Sequence, residues 1–172
     1  ARQGLQHKGK HEYFERIEAM QYTLMHDDGQ DPEGLKDADI ILVGGSRTSK
    51  TPTCVYLANK GMKAANVPIV PNQPLPKELE NINGKFVVGL VNSVDRLVQI
   101  RRNRLLSLKE GKKTTYVDEE AIKQEVQQAR RLFSSRGWPV IDVTRRSIEE
   151  TAGAIMKLKY KFDEEKQADA VS

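Results

Sequence analysis

The sequence is short of several things, and each shortage narrows what the chain can be. It has one cysteine, Cys54, in 172 residues, which excludes an internal disulfide and a zinc site built on cysteines. A reducing, cytoplasmic compartment is the simplest setting for such a chain. It lacks an apolar run of the roughly 18 residues that a membrane-crossing helix needs. No apolar segment at the N-terminus reads as a signal peptide. Because the first residue is Ala and not Met, the chain is expected to be a fragment or a processed product. Aromatic residues make up only 6% of the chain, and none forms a platform interleaved with basic residues, so nucleic acid is not an expected partner. Histidines are equally scarce. His7 and His11 are four apart but have no third ligand near them, so they read as solvated residues rather than a metal site.

What remains suits one ordinary domain. Hydrophobic residues make up 38% of the chain, enough for a single core. The net charge of +4 suits a phosphate-bearing ligand or an acidic partner. Residues 1–10 are polar and read as a frayed end or a linker. Residues 11–163 read as a single α/β domain, with a helix over residues 11–26 as a candidate extension, and residues 164–172 read as a solvated tail. In that first helix Tyr13, Ile17, Met20 and Leu24 recur at three- and four-residue steps and share one face.

Four short aliphatic runs read as strands: Ile40-Ile41-Leu42-Val43, Val67-Pro68-Ile69-Val70, Lys85-Phe86-Val87-Val88-Gly89-Leu90-Val91 and Pro139-Val140-Ile141-Asp142-Val143. The prolines put the second near an edge or a strand end. Helices are expected from about Lys50 to Lys60, after Ser93, from Asp118 to Gly137 with a break over residues 111–116 before it, and from Ser147, where Glu150 completes a capping box. Alternating strands and helices imply a mostly parallel sheet with flanking helices.

The sharpest local feature is the turn Gly44-Gly45-Ser46-Arg47-Thr48-Ser49-Lys50-Thr51 between a strand and a helix. The phosphate-loop pattern is Gly, any four residues, Gly, Lys, then Ser or Thr. Here Ser49 stands where the second glycine is expected, and Lys50-Thr51 completes the rest. A glycine at the strand exit lets the backbone come close to an anion. Successive backbone N–H groups and the following helix N-terminus then favour negative charge. Lys50 would meet the terminal phosphates, the Thr51 hydroxyl could hold Mg²⁺, and Arg47 adds a second cation able to grip phosphate with two bonds. Ser49, lacking the freedom of glycine, is expected to avoid a positive φ.

Other residues could complete such a site. Arg101, Arg102 and Arg104 could form a lid over a transferred phosphate, or simply a solvated basic face. Arg145 or Arg146 is expected near the nucleotide. No strand is expected to end in an aliphatic run followed by Asp, so a metal-holding acid must come from elsewhere. His26-Asp27-Asp28 supplies two adjacent carboxylates, which could bind a metal through water, accept a hydroxyl proton, or merely form a turn after a helix. Cys54 is expected to be a small buried core residue.

Several strings together resemble one family. Gly44-Gly45-Ser46-Arg47-Thr48-Ser49-Lys50-Thr51-Pro52, Tyr56-Leu57-Ala58 and Ala65-Asn66-Val67-Pro68 are similar to stretches of the regulatory proteins of pyruvate, phosphate dikinase and phosphoenolpyruvate synthase. Arg16-Ile17-Glu18-Ala19, His26-Asp27-Asp28-Gly29 and Trp138-Pro139-Val140-Ile141-Asp142-Val143-Thr144 fit as well. The resemblance implies a P-loop kinase-like α/β fold and a bifunctional enzyme. Such an enzyme phosphorylates a threonine of the dikinase or synthase with ADP as donor, and removes that phosphate with inorganic phosphate, releasing pyrophosphate. It implies an ADP site over residues 44–51, catalytic roles for Lys50, Arg47 and Asp27 or Asp28, further phosphate contacts from Arg101, Arg104 and Arg145, and Mg²⁺ on Thr51. The expected partner is the dikinase or the synthase, and a homodimer is compatible with it. Gly45 departs from the small aliphatic residue usual in the family and should loosen the loop. Two other readings stay open: an ATP-dependent small-molecule kinase, and a nucleotide-sensing module without catalysis.

Overall fold

The computed structural model describes residues 2–107 and 119–171, so the break expected over residues 111–116 and the Asp118 cap lie outside it. Helix α1 (Arg2–Met25) is followed by two 3-10 segments, Asp27–Gly29 and Pro32–Asp37. Then come β1 (Ile40–Gly44), α2 (Lys50–Asn59), β2 (Ala64–Pro68), α3 (Lys77–Glu80), β3 (Val87–Val91), α4 (Val94–Ser107), α5 (Glu119–Arg136), β4 (Val140–Asp142) and α6 (Ile148–Val171). All three strand pairings are parallel, in the order β2-β1-β3-β4. The chain is therefore an α/β protein with a parallel sheet and flanking helices.

Burial on both faces explains the unbroken aliphatic run of β1, in which every residue is buried. Ile40 and Leu42 join Cys54 and Leu57 of α2 and Ala152 and Ile155 of α6 on one face. Ile41 and Val43 meet Leu79 of α3 and Ala129 and Phe133 of α5 on the other. Cys54 is fully buried, as expected of a small core residue, and burial pushes its thiol up to about 12. Two expected helix starts are realised in detail. Ser93 Oγ accepts the Arg96 N–H at 3.1 Å, and Ser147 Oγ accepts the Glu150 N–H at 3.1 Å while Glu150 reaches back to the Ser147 N–H. The proline-containing strand β2 is at the sheet edge.

Three features differ from the sequence expectation. Residues 2–10 and 164–171 are helical, each continuing a neighbouring helix, and residues 9–10 and 164–170 are exposed. The α1 residues Tyr13, Ile17, Met20 and Leu24 do share a face, but Tyr13 is 54% and Leu24 66% exposed; the side that packs inward carries Ala19, Tyr22, Thr23 and His26. Small size decides this, since Ala19 and Thr23 let α1 lie close to β2, where Thr23 Oγ1 donates to the Ala64 carbonyl at 3.0 Å. The segment Pro32–Asp37 and the short α3 form helical turns in places where no helix is expected from the sequence.

Phe133 is the largest fully buried side chain, and it lies against the backbone of Gly89 at the centre of β3. A methyl at residue 89 would sit 2.6 Å from Phe133 Cε2. Gly89→Ala is therefore expected to destabilise the protein by about 1–3 kcal/mol through overpacking. A urea midpoint equal to that of the parent would show instead that Phe133 can move aside.

Candidate active site

Strand β1 is flanked by β2 on one side and β3 on the other, so the chain leaves it in opposite directions. In open α/β sheets the crevice beyond the strand ends at such a point is where ligands bind. The loop over residues 44–51 lies there. Gly44 is needed for close packing: a Cβ would come 2.8 Å from the Leu90 carbonyl oxygen and 2.9 Å from Thr48 Oγ1. At Gly45 a Cβ would meet only Glu125 Oε1, at 3.8 Å, so a small side chain fits there.

Lys50 opens α2 and is 8% exposed. Its Nζ donates to the Gly45 carbonyl at 2.7 Å and to Thr48 Oγ1 at 3.4 Å, so it spans the loop. Burial holds the Lys50 ammonium below the ordinary lysine range, while Asp28, Cys54 and Asp27 oppose that shift. A phosphate held through this charge is released as pH rises through the lowered pKa, earlier than at a surface lysine. Thr48, 3% exposed, closes the turn by donating to the Gly45 carbonyl at 2.9 Å.

Ser49 corrects an expectation, since its φ is +59°. Its carbonyl accepts the Thr53 hydroxyl at 2.6 Å and the Thr53 N–H at 3.2 Å, and these bonds fix the turn into α2. Left-handed backbone is the one positive-φ region open to side chains, at a cost of about 1–3 kcal/mol. Of five described non-glycine residues with positive φ, Arg47, Ser49, Asp28 and Asp31 belong to this site or its support, and Asn72 is the fifth. Such clustering is typical of functional turns whose shape the surrounding structure imposes.

The acidic turn after α1 is brought onto the loop. Asp27 Oδ1 accepts the Thr51 hydroxyl at 2.8 Å and the Asn66 amide at 2.6 Å. The Asp28 N–H donates to Asn66 Oδ1 at 2.9 Å, with Asp28 in left-handed backbone. Asn66, in β2, is 1% exposed and aligns both acids. His26 anchors the turn from below. Its ring stacks on Tyr22 at 3.9 Å, its Nδ1 lies 2.7 Å from the Tyr22 carbonyl, and its Nε2 lies 3.1 Å from Asp31 Oδ2. Gly34 makes room for that ring, because a Cβ there would come 2.8 Å from His26 Cδ2.

On the other side of the loop, Arg101 is 7% exposed, and so is not part of a solvated basic face. Its guanidinium donates to Ser46 Oγ at 3.1 Å and to both carboxylate oxygens of Glu125 at 3.2 Å. Asn92 donates to the Arg47 carbonyl at 3.2 Å, supporting the positive φ there. Arg102 and Arg104 are exposed on α4. Arg145 lies in the turn between β4 and α6, in a cleft that no residue of the loop lines. Asp142 does end β4 after an aliphatic run, contrary to expectation, but β3 separates that strand from β1. Its carboxylate accepts the Thr144 N–H at 2.9 Å and the Thr144 hydroxyl, and lies 3.7 Å from Arg130.

The structure thus gathers Lys50, Thr51, Asp27 and Asp28 around one loop, with Arg101 behind it. Three supporting residues were not singled out from the sequence: Asn66, Asn92 and Glu125. Asn66 lies just before the strand expected over residues 67–70, and β2 in fact runs Ala64–Pro68, so only the structure places this polar residue inside an otherwise apolar strand. Asn92 and Glu125 left no signal.

Known proteins resemble the chain along most of its length. The sequence model of the family described as Kinase/pyrophosphorylase matches residues 1–156. A protein of Caulobacter vibrioides named "Putative pyruvate, phosphate dikinase regulatory protein" is 59% identical over 157 residues, which cover 91% of this chain and 50% of that one. Proteins of the same name from Sphingopyxis alaskensis and Rhodopseudomonas palustris are 60% and 56% identical, over 58% and 57% of their own lengths. The chain therefore spans about half the length of these relatives. With the family match covering the strand, loop and acidic turn described above, this chain belongs to the kinase/pyrophosphorylase family.

Proposed function

We propose that this chain carries the catalytic unit of a bifunctional enzyme that phosphorylates a threonine of pyruvate, phosphate dikinase, or of phosphoenolpyruvate synthase, from ADP and removes that phosphate with inorganic phosphate. The observation that carries the proposal is the bond between Asp27 and Thr51, residues 24 apart, which joins the acidic turn to the first turn of the phosphate-loop helix. Anion-binding groups and a candidate base are then within one site, as phosphoryl transfer to a hydroxyl requires.

In the forward direction the loop, Lys50 and Arg47 hold the phosphates of ADP. Asp28 takes the proton of the threonine hydroxyl, whose oxygen bonds to the β-phosphorus. The bond from that phosphorus to the bridging oxygen breaks, and AMP leaves with the electron pair. In the return direction an oxygen of inorganic phosphate attacks the phosphothreonine phosphorus. Pyrophosphate forms, Asp28 takes the proton that the attacking phosphate loses, and the threonine oxygen leaves and receives that proton from Asp28. One anion site serves both reactions. An ion such as Mg²⁺ would be shared between a few protein oxygens and the phosphates. The oxygens of Thr51 and Asp27 fit such an ion, which would neutralise charge on the transferred group.

Incubating the chain with ADP and each target in turn, and weighing the target by mass spectrometry, tests the proposal. A phosphate added with ADP, and removed again by inorganic phosphate with release of pyrophosphate, is the expected result. Phosphate transferred from ATP to a nucleoside monophosphate and to neither target would favour the small-molecule kinase, and nucleotide binding with no transfer at all would favour the sensing module.

A further inference from the structure

Beside the phosphate loop, at the ends of β3 and β4, a cleft of about 850 Å³ lies between the first turns of α4 and the turn into α6. Its lining includes Ser93, Arg96, Asp142, Thr144, Arg145 and Arg146. It is joined to the loop through one neighbour: Asn92 holds the Arg47 carbonyl, and the next residue, Ser93, lines the cleft. The floor is tied down where the Ser93 N–H donates to Asn92 Oδ1 at 3.0 Å and to Thr144 Oγ1 at 2.9 Å.

The charges in this cleft are unevenly committed. Asp142 is held by Thr144, lies 3.7 Å from Arg130 and also feels the charge of Arg146. Asp95 lies in the first turn of α4, where the helix end favours an acid. The Arg96 guanidinium donates to the neutral Gln99, and none of Arg96, Arg145 and Arg146 makes an ion pair among the described residues. All three are exposed. Against the two acids of the lining, Asp95 and Asp142, the three guanidiniums leave the cleft net positive, and guanidiniums match carboxylates, with which they form paired hydrogen bonds. A nucleoside does not need them, because the anionic part of a nucleotide is already met by the loop.

We propose that this cleft docks an acidic segment of the protein substrate, presenting the acceptor hydroxyl to the adjacent loop. The inference rests on the protein-kinase reading above. It adds a specificity rule: glutamate or aspartate side chains near the target threonine are recognised by Arg96, Arg145 and Arg146.

The test uses a fluorescein-labelled peptide with one threonine flanked by glutamates, followed by anisotropy with the whole 172-residue chain. The peptide should bind, and its affinity should fall as salt rises. The double variant Arg96→Glu/Arg146→Glu should weaken peptide binding about tenfold or more, with ADP affinity by calorimetry changed by less than about twofold. Three results would overturn the inference: no peptide binding by the unaltered chain, equal binding by the double variant, or a loss of ADP affinity as large as the loss of peptide. A chain that binds the peptide through these arginines yet adds no phosphate to either target would refute the kinase reading and leave the docking cleft standing.

Discussion

Lys50→Met should abolish most of both activities while leaving the fold intact. Removing one preorganised donor to a charged transition state typically costs about 10²–10³ in rate, or roughly 3–4 kcal/mol. Lys50 is expected at the upper end, because it carries a full charge, is 8% exposed, and stands over the loop between Gly45 and Thr48. The stability change should be small. The variant loses charged hydrogen bonds to the loop, but it also removes a buried ammonium whose desolvation opposes folding. Methionine fills similar space without that charge. Rates of phosphate addition and removal, with thermal unfolding as the control, check this expectation. Survival of one reaction at its normal rate would refute a single anion site for both directions.

Asp28→Asn should slow phosphate addition by about 10²–10⁴, the usual range for a general base, with little change in ADP affinity. Asp28 is the better candidate base of the two acids. Asp27 Oδ1 already accepts bonds from Thr51 and Asn66, while Asp28 is anchored by its backbone N–H and has an exposed side chain. Asn tolerates left-handed backbone as well as Asp does, so the turn at φ +55° should survive the change. Asp27→Asn is the informative comparison: with a metal-holding or structural role, binding and turnover should fall together. Equal loss of ADP binding and turnover in Asp28→Asn would move the base assignment away from this residue. Calorimetry with ADP and single-turnover rates separate the two outcomes.

The legible parts of the site were those whose signal is local. Gly44, Lys50 and Thr51 belong to one strand-turn-helix unit whose spacing follows from the backbone. Ser93 and Ser147 announced helix starts through hydroxyls placed before apolar runs, and both make the expected bonds. The apolar face of α1 was also legible, but its use was not. Periodicity shows which residues share a face and says nothing of which face a neighbour approaches, and here the neighbour packs on Ala19 and Thr23. Ser49 was misread for a related reason. A local rule disfavours positive φ for a side chain, but bonds from Thr53 to the Ser49 carbonyl hold it there.

By itself the sequence determined the parallel α/β class, a glycine-rich strand-turn-helix unit at the exit of β1, and the presence of an acidic turn after the first helix. These are encoded in contiguous residues, through hydrophobic period, glycine placement and capping. Only the tertiary structure decided that the acidic turn belongs to the loop. Asp27 and Thr51 are 24 residues apart, and Asn66, 39 beyond Asp27, joins them by lying on the neighbouring strand. It decided equally that Arg101 is locked between Ser46 and Glu125, whereas Arg145 opens on a separate cleft. The physical reason is the same in each case. A polar side chain pairs with what the fold brings within reach, and the order of strands in the sheet, not distance along the chain, determines what that is.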